Sequence, residues 1–231
     1  MAYRETDHTR AKKSHTRQRL LKAARDLVAE SGFAAATAAA VAQRSGVAAG
    51  SIYRHFPNKA ELVAEVFRYA TEHEVANVLA ASVSLTNGEP CAARVSRAVN
   101  IFAQRALQGP RLAYALIAEP VDPRVEQERL KYRLAYADIF EDLIEEGMAG
   151  GEFAAQDASI SAAAMVGLLA EALIGPLHPL RTVSTDSAAV MTEKQQQLLI
   201  SQITALCLRA LGADQADSPQ NAAQPGTAAT E

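Results

Sequence analysis

Apolar side chains recur along this chain at intervals of three and four rather than two. Leu20, Leu21, Ala24, Leu27 and Val28 share one helical face, as do Leu62, Val63, Val66, Phe67 and Ala70, and later Leu130, Leu134, Ile139, Leu143 and Ile144. Strand-like alternation is hard to find. Alanine, the best helix former, is abundant, and β-branched and aromatic runs are scarce, so local propensity agrees with the periodicity. The stripes break where helices stop: Ser31-Gly32, Ser45-Gly46, Phe56-Pro57-Asn58, Asn87-Gly88-Glu89-Pro90, Gly109-Pro110, Glu119-Pro120 to Pro123, Gly150-Gly151 and Pro176 to Pro179. The pattern predicts about nine helices, over roughly 14–31, 37–44, 48–55, 58–83, 91–108, 111–118, 122–149, 157–176 and 192–211, and hence an all-α fold. No internal repeat is visible.

With 231 residues, 49% of them hydrophobic, the chain has enough material for one or two packed domains. Its net charge of −3 argues, as an average, against binding nucleic acid. The distribution of charge changes that picture. Residues 1–60 carry 11 Lys+Arg against 4 Asp+Glu, whereas residues 61–231 carry 12 against 22. A basic head sits on an acidic body. Residues 1–13 read as a flexible basic arm and 212–231, rich in Ala, Gln, Pro and Asp, as a disordered tail.

Cys91 and Cys207 are far apart, match no metal-binding spacing and fit a reducing cytoplasm, while His8, His15, His55, His73 and His178 are scattered. No metal or cofactor is expected. The polar start is no secretory core, and the longest apolar stretch, 161–176, is interrupted by Gly167, Glu171 and Gly175, so no membrane span is expected. An enzyme is the main reading of another class, but GxSxG, GxGxxG, P-loop and HExxH patterns are missing from the sequence. A helical, architectural DNA binder without an effector is the third reading.

Residues 32–62, GFAAATAAAVAQRSGVAAGSIYRHFPNKAEL, hold two short predicted helices joined at a glycine, the spacing of a helix-turn-helix within 14–60. Ala42 is small where the second helix would cross the first. Gly46, four residues on, permits a turn with positive φ, and Ile52, six further, plugs the space between the helices together with Val41, Val47 and Phe56.

Residues from about 14 to 67 resemble the DNA-binding head of the tetracycline-repressor (TetR) family of bacterial transcription regulators. The resemblance rests on Ser31-Gly32-Phe33, on Thr37 opening the second helix, and on Val41-Ala42 followed by Ser45-Gly46-Val47. It continues through Gly50-Ser51-Ile52-Tyr53-Arg54-His55-Phe56 and then Pro57-Asn58-Lys59-Ala60-Glu61-Leu62. It implies that Thr37 caps its helix and offers a group to phosphate, that Gly50 permits close approach to the groove, and that Ser51 reaches a base edge or phosphate. Tyr53, His55 and Lys59 would touch the backbone, with Arg54, Arg44 and Arg17 as further contacts. One departure is the pair Ala48-Ala49 before Gly50, where the family often has a polar residue. Reading there would fall to Ser51, to a thymine-methyl contact from Ala49, or to DNA shape.

For 61–211 the resemblance implies a helical body that binds a small, largely apolar effector and forms a homodimer, so that two heads meet a near-palindromic double-stranded operator. Candidate effector contacts are Phe102, Arg105, Tyr114, Tyr132, Tyr136 and His178, with Glu119 a further polar possibility. The helices at 157–176 and 192–211 are the least charged long segments, and the first is apolar nearly all round, so it needs cover on more than one side. Ala163, Gly167, Leu168, Ile174, Leu199, Ile203 and Leu206 are the expected dimer contacts. The whole reads as a cytoplasmic, ligand-responsive repressor.

Overall fold

The computed structural model describes residues 7–179 and 191–213, with side chains from Arg10 onward. Among them are nine α-helices and no strand: α1 (Asp7–Ser31), α2 (Ala38–Ser45), α3 (Ala49–Ile52), α4 (Lys59–Ser82), α5 (Cys91–Gln108), α6 (Pro110–Ile117), α7 (Pro123–Ala149), α8 (Ala158–Leu177) and α9 (Glu193–Ala210). A single 3-10 turn, Phe33–Ala35, joins α1 to α2. The all-α expectation holds, and most helix ends fall within a residue or two of the stop signals.

Two ends differ. Helix α1 begins seven residues upstream of its expected start, so 7–13 of the expected arm are helical, and 1–6 lie outside the described residues. Helix α3 closes after Ile52, and Tyr53, Arg54 and His55 form a turn rather than a continued helix. The expected disordered tail lies outside the described residues from 214 onward.

At several helix starts a side-chain oxygen satisfies one of the otherwise unpaired N–H groups. Thr37 accepts from the Ala40 N–H, Asn58 from Glu61, Asp122 from Arg124 and Asp157 from Ile160. Thr192 and Gln195 form a reciprocal capping box at the head of α9. Pro110 and Pro123 occupy first-turn positions, where their missing N–H costs nothing.

Packing produces two cores. Leu20, Ala24, Val28, Val41, Ala42, Ile52, Phe56, Leu62 and Val66 are buried in one, which holds α1–α3 and the first half of α4. Val95, Val99, Phe140, Leu143, Ile144, Met165, Leu169, Leu173 and Cys207 are buried in the other, made by α5 and α7–α9. Phe67 and Leu112 belong to the first core, yet they come from α4 and α6, which also border the second. The two units therefore meet along α4, α6 and α7.

Helix α8 is long and apolar enough to cross a membrane by length and composition, but less than half of it is buried in the protomer. Its inner side, Ala162, Met165, Leu169 and Leu173, fills the second core, while Ile160, Ala163 and Ala164 face outward.

Candidate nucleic-acid interface and ligand cavity

The turn between α2 and α3 follows from its sequence. Gly46 closes α2 in the left-handed conformation at φ 66°, and the Val47 N–H returns to the Ala42 carbonyl at 3.1 Å. Arg19 of α1 fixes the same corner by donating to the Ser45 carbonyl at 2.5 Å. Ala42, Ile52 and Phe56 are buried as their spacing demands, and the Arg17 guanidinium lies 5.0 Å from the centre of the Phe56 ring.

This packing leaves one surface of the head without a structural task. Ala49 and Gly50 are exposed, and a Cβ placed on Gly50 would meet nothing within 4 Å. Ser51 is half-buried, Tyr53 stands 57% exposed, and Arg54 and Lys59 project into solvent without an ion pair among the described residues. Thr37, Ala49, Gly50, Ser51, Tyr53, Arg54, His55 and Lys59 thus lie along the helix-turn-helix and the start of α4.

Two expected contacts are otherwise engaged. Arg44 makes a bidentate pair with Glu30 at 2.7 Å on each arm, tying the end of α2 to α1. Arg17 is held at 2.7 Å by Glu65 of α4 and lies against Phe56, so it braces the head. Both guanidiniums have protein partners that a sequence cannot pair, because the carboxylates lie 14 and 48 residues away.

His55 is half-buried, and its Nδ1 is enclosed without a hydrogen-bond partner. Burial, aided by the nearby charges of Lys13 and Arg17, lowers its pKa below the ordinary histidine value of 6.5. The unfolded chain therefore takes up this proton first as pH falls. Stability from the neutral imidazole is present above about pH 6.5 and is lost as pH drops through the lower folded value. Thermal unfolding of His55→Gln is expected to fall less steeply than wild type below pH 6.5, and identical slopes would count against this account.

The head is latched to the body at the end of α1. Gly32 has φ 81° and ψ 178°; its own N–H closes α1 on the Val28 carbonyl at 2.8 Å, and the next N–H turns toward Glu119. The Phe33 N–H donates to Glu119 Oε1 at 3.1 Å, and Arg111 donates to the Ser31 carbonyl at 3.0 Å. Glu119, which the sequence offers as an effector contact, is used here instead. Its second oxygen is buried 3.9 Å from Arg111, beyond hydrogen-bond reach.

Above the latch lies a cavity of about 290 Å³ between the two cores. Phe67, Val78, Phe102, Leu112, Ile117, Phe140, Val166 and Leu169 give it apolar walls, and Thr71, Glu74, Arg105, Tyr132 and Tyr136 supply polar groups. Arg105 and Glu74 form a two-armed ion pair. Burial raises the Tyr136 phenol above the usual tyrosine range, and Glu74 adds to the effect, so the hydroxyl stays protonated. Phe102 packs edge-on against Tyr136 at 5.4 Å.

Four of the six expected effector residues, Phe102, Arg105, Tyr132 and Tyr136, line this cavity. Tyr114 and His178 do not; they meet each other edge-on at 5.1 Å. Arg25, Arg129 and Arg133 do line it. An arginine on an amphipathic helix reads as a solvated face, and the sequence carries no signal that three such faces converge.

The expected dimer residues separate in a similar way. Ala163 and Leu206 are exposed, and Gly167 is partly open with nothing near a Cβ. Leu168, Ile174 and Leu199 are half-buried. Ile203 corrects the expectation: it is 4% exposed, beside Ile200 and Cys207 in the protomer's own core, on the inward stripe of α9. The exposed apolar residues of α8 and α9 that spacing alone did not single out are Ile160 and Leu198.

A helix-turn-helix head joined to a helical body with an internal cavity defines a ligand-binding transcription regulator. The family model described as "Bacterial regulatory proteins, tetR family" matches residues 20–66, and "Tetracyclin repressor-like, C-terminal domain" matches 88–173, together more than half the chain. The chain belongs to the TetR family of transcriptional regulators, which are DNA-binding proteins and not enzymes. No curated protein sequence matches it significantly.

Among solved structures, it is similar to the fatty acid degradation regulator FadR of Bacillus halodurans, with a TM-score of 0.66 at 19% identity over 84% of this chain and 94% of that one. FadR of Bacillus subtilis, solved in complex with stearoyl-CoA, gives 0.66 at 17% identity over 84% and 98%. Salmonella enterica GusR gives 0.64 at 19% identity over 90% and 98%. These likenesses establish the shared fold.

Proposed function

We propose that the chain acts as a homodimeric repressor whose two heads grip a near-palindromic operator and whose affinity for it is reset by a small effector in the inter-core cavity. The observation that carries this reading is the unused surface of Gly50, Tyr53, Arg54 and Lys59. Among the described residues these four stand exposed together, and a Cβ on Gly50 would meet nothing within 4 Å. A groove-facing α3 would use Gly50 for close approach, Ser51 and Ala49 for base edges, and Tyr53, Arg54, His55, Lys59 and Thr37 for phosphates. Arg44 and Arg17 would serve the same interface as braces.

The cavity favours a ligand-responsive regulator over an architectural binder, since a merely structural body gains nothing from a void between its cores. The dimer reading rests on the apolar outer side of α8 and α9, where Ile160, Leu198 and Leu206 are 69%, 58% and 45% exposed. Cytoplasmic action follows from the role.

The test pairs two variants on an operator selected from random oligonucleotides. Tyr53→Ala and Gly50→Ala are each expected to leave assembly intact and the unfolding midpoint within a few degrees of wild type, because Tyr53 is mostly exposed and a Cβ on Gly50 meets nothing within 4 Å. Each should weaken operator binding by about tenfold or more, the scale of one lost interface contact. Unchanged affinity in both variants would remove this surface from DNA recognition. Equal affinity for selected and random DNA at fixed salt would favour the architectural reading.

A further inference from the structure

We propose that the cavity takes an amphipathic anion, with its apolar body in the chamber and a carboxylate or phosphate held between Arg25 and Arg133. This inference rests on the reading of the cavity as the effector site and narrows it to a ligand class.

The charges lining the cavity are unequal: Arg25, Arg105, Arg129 and Arg133 against the single carboxylate of Glu74. Two of the arginines are accounted for. Arg105 is neutralised by Glu74 through two hydrogen bonds. Arg129 is consumed by the carbonyls of Leu116 at 2.9 Å, Ala115 at 3.2 Å and Glu119 at 2.8 Å, and by Glu126 at 2.6 Å, so it holds α6 and its following loop against α7.

The other two are not. Arg133 makes no hydrogen bond or ion pair among the described residues, and it is exposed, so it marks the solvent side of the lining. Arg25 pairs at 3.2 Å with Asp26, its chain neighbour, in a part-exposed contact worth little. Arg25 and Arg133 bring two cations to one largely apolar lining, and an anion with an apolar body can meet them while filling the chamber. Charge-assisted hydrogen bonds to guanidinium are the strong ones available to such a ligand.

The elements carrying the two arginines give the assignment its regulatory content. Arg133 is on α7 of the body, whereas Arg25 is on α1, the first helix of the DNA-reading head. A ligand anion bridging them attaches head to body directly, beside the latch at Glu119. Ligand and operator affinity must then change each other by the same factor.

The experiment is calorimetric titration of the full chain with decanoate, decyl phosphate, decanol and decylamine, repeated on Arg25→Ala and Arg133→Ala after checking that both unfold at the wild-type midpoint. Decanoate or decyl phosphate is expected to bind at least about tenfold more tightly than decanol, with decylamine no better than decanol. The more favourable of the two anions identifies the acid group. Either arginine substitution should erase most of that advantage and leave decanol unchanged, as loss of one charge-assisted hydrogen bond requires. Decanol or decylamine binding as tightly as the anions would overturn the anion assignment while the effector site stands. An anion advantage that survives both substitutions would overturn the role of Arg25 and Arg133. Failure of all four probes to bind would overturn the cavity as an effector site as well.

Discussion

Gly32→Ala is expected to destabilise the protein by about 3 to 5 kcal/mol, more than its size suggests. The backbone there, at φ 81° and ψ 178°, lies in a region open essentially to glycine alone, which costs a larger residue roughly 1–3 kcal/mol. A Cβ would also sit 2.2 Å from Arg111 Nη2 and 2.6 and 2.7 Å from the Glu119 oxygens. Those side-chain ends can move aside, but only by giving up the bonds to the Ser31 carbonyl and the Phe33 N–H, worth roughly 1.5–3 kcal/mol where a charged group is involved. In a chain of this length the loss corresponds to a drop of roughly 10 °C in the unfolding midpoint. Gly46→Ala is the control. It also has positive φ, but its new Cβ would meet only the tip of Arg19 at 3.5 Å, so about 1–2 kcal/mol is expected. Differential scanning calorimetry of both variants decides the matter: equal losses would show that the latch contributes nothing beyond backbone strain.

The second large effect concerns assembly. Gly167→Glu is expected to fold as a monomer with unchanged helix content, because a Cβ at Gly167 meets nothing within 4 Å of its own protomer. Against a partner helix packed over the small residues of α8, the same carboxylate would be buried without a counter-charge. Loss of the proposed dimer would make the second head's binding intermolecular, and operator affinity should fall by about 10²–10⁴-fold. Sedimentation and operator titration on one sample check both halves. A persisting dimer would mean that the exposed apolar side of α8 has another use.

The helices were legible because burial writes its period into the sequence and Gly and Pro mark the stops. Helix α1 ran past its expected start because DHTRAKKSH is polar on every face and carries no apolar period to detect. Position α3 was legible through Gly46 and Ile52, but its early closure was not: the turn at Tyr53 to His55 depends on Phe56 entering the head core, a tertiary event. The charged residues divide along the same line. Arg54 and Lys59 make no ion pair among the described residues, whereas the partners of Arg44 and Arg17, Glu30 and Glu65, arrive only on folding and could not be read from the sequence. The aromatic side of the cavity could be guessed from α5 and α7, while Arg25 could not, since nothing in α1 says that it faces the body.

Phe67 is where these lines cross. Its ring walls the cavity, packs against Tyr132 at 5.9 Å, and stacks at 6.2 Å on Phe33, the residue that follows Gly32 and precedes the reading helices. One side chain is thus a shared wall between a chamber that opens to ligands and a core that must stay rigid to read DNA. Such a wall cannot be tuned for one tenant alone. Substitutions at Phe67 reach both the chamber and the packing of the head, so on the proposed effector reading ligand preference and operator affinity should vary together there, and independently at positions such as Val166 that line the chamber without belonging to the head core.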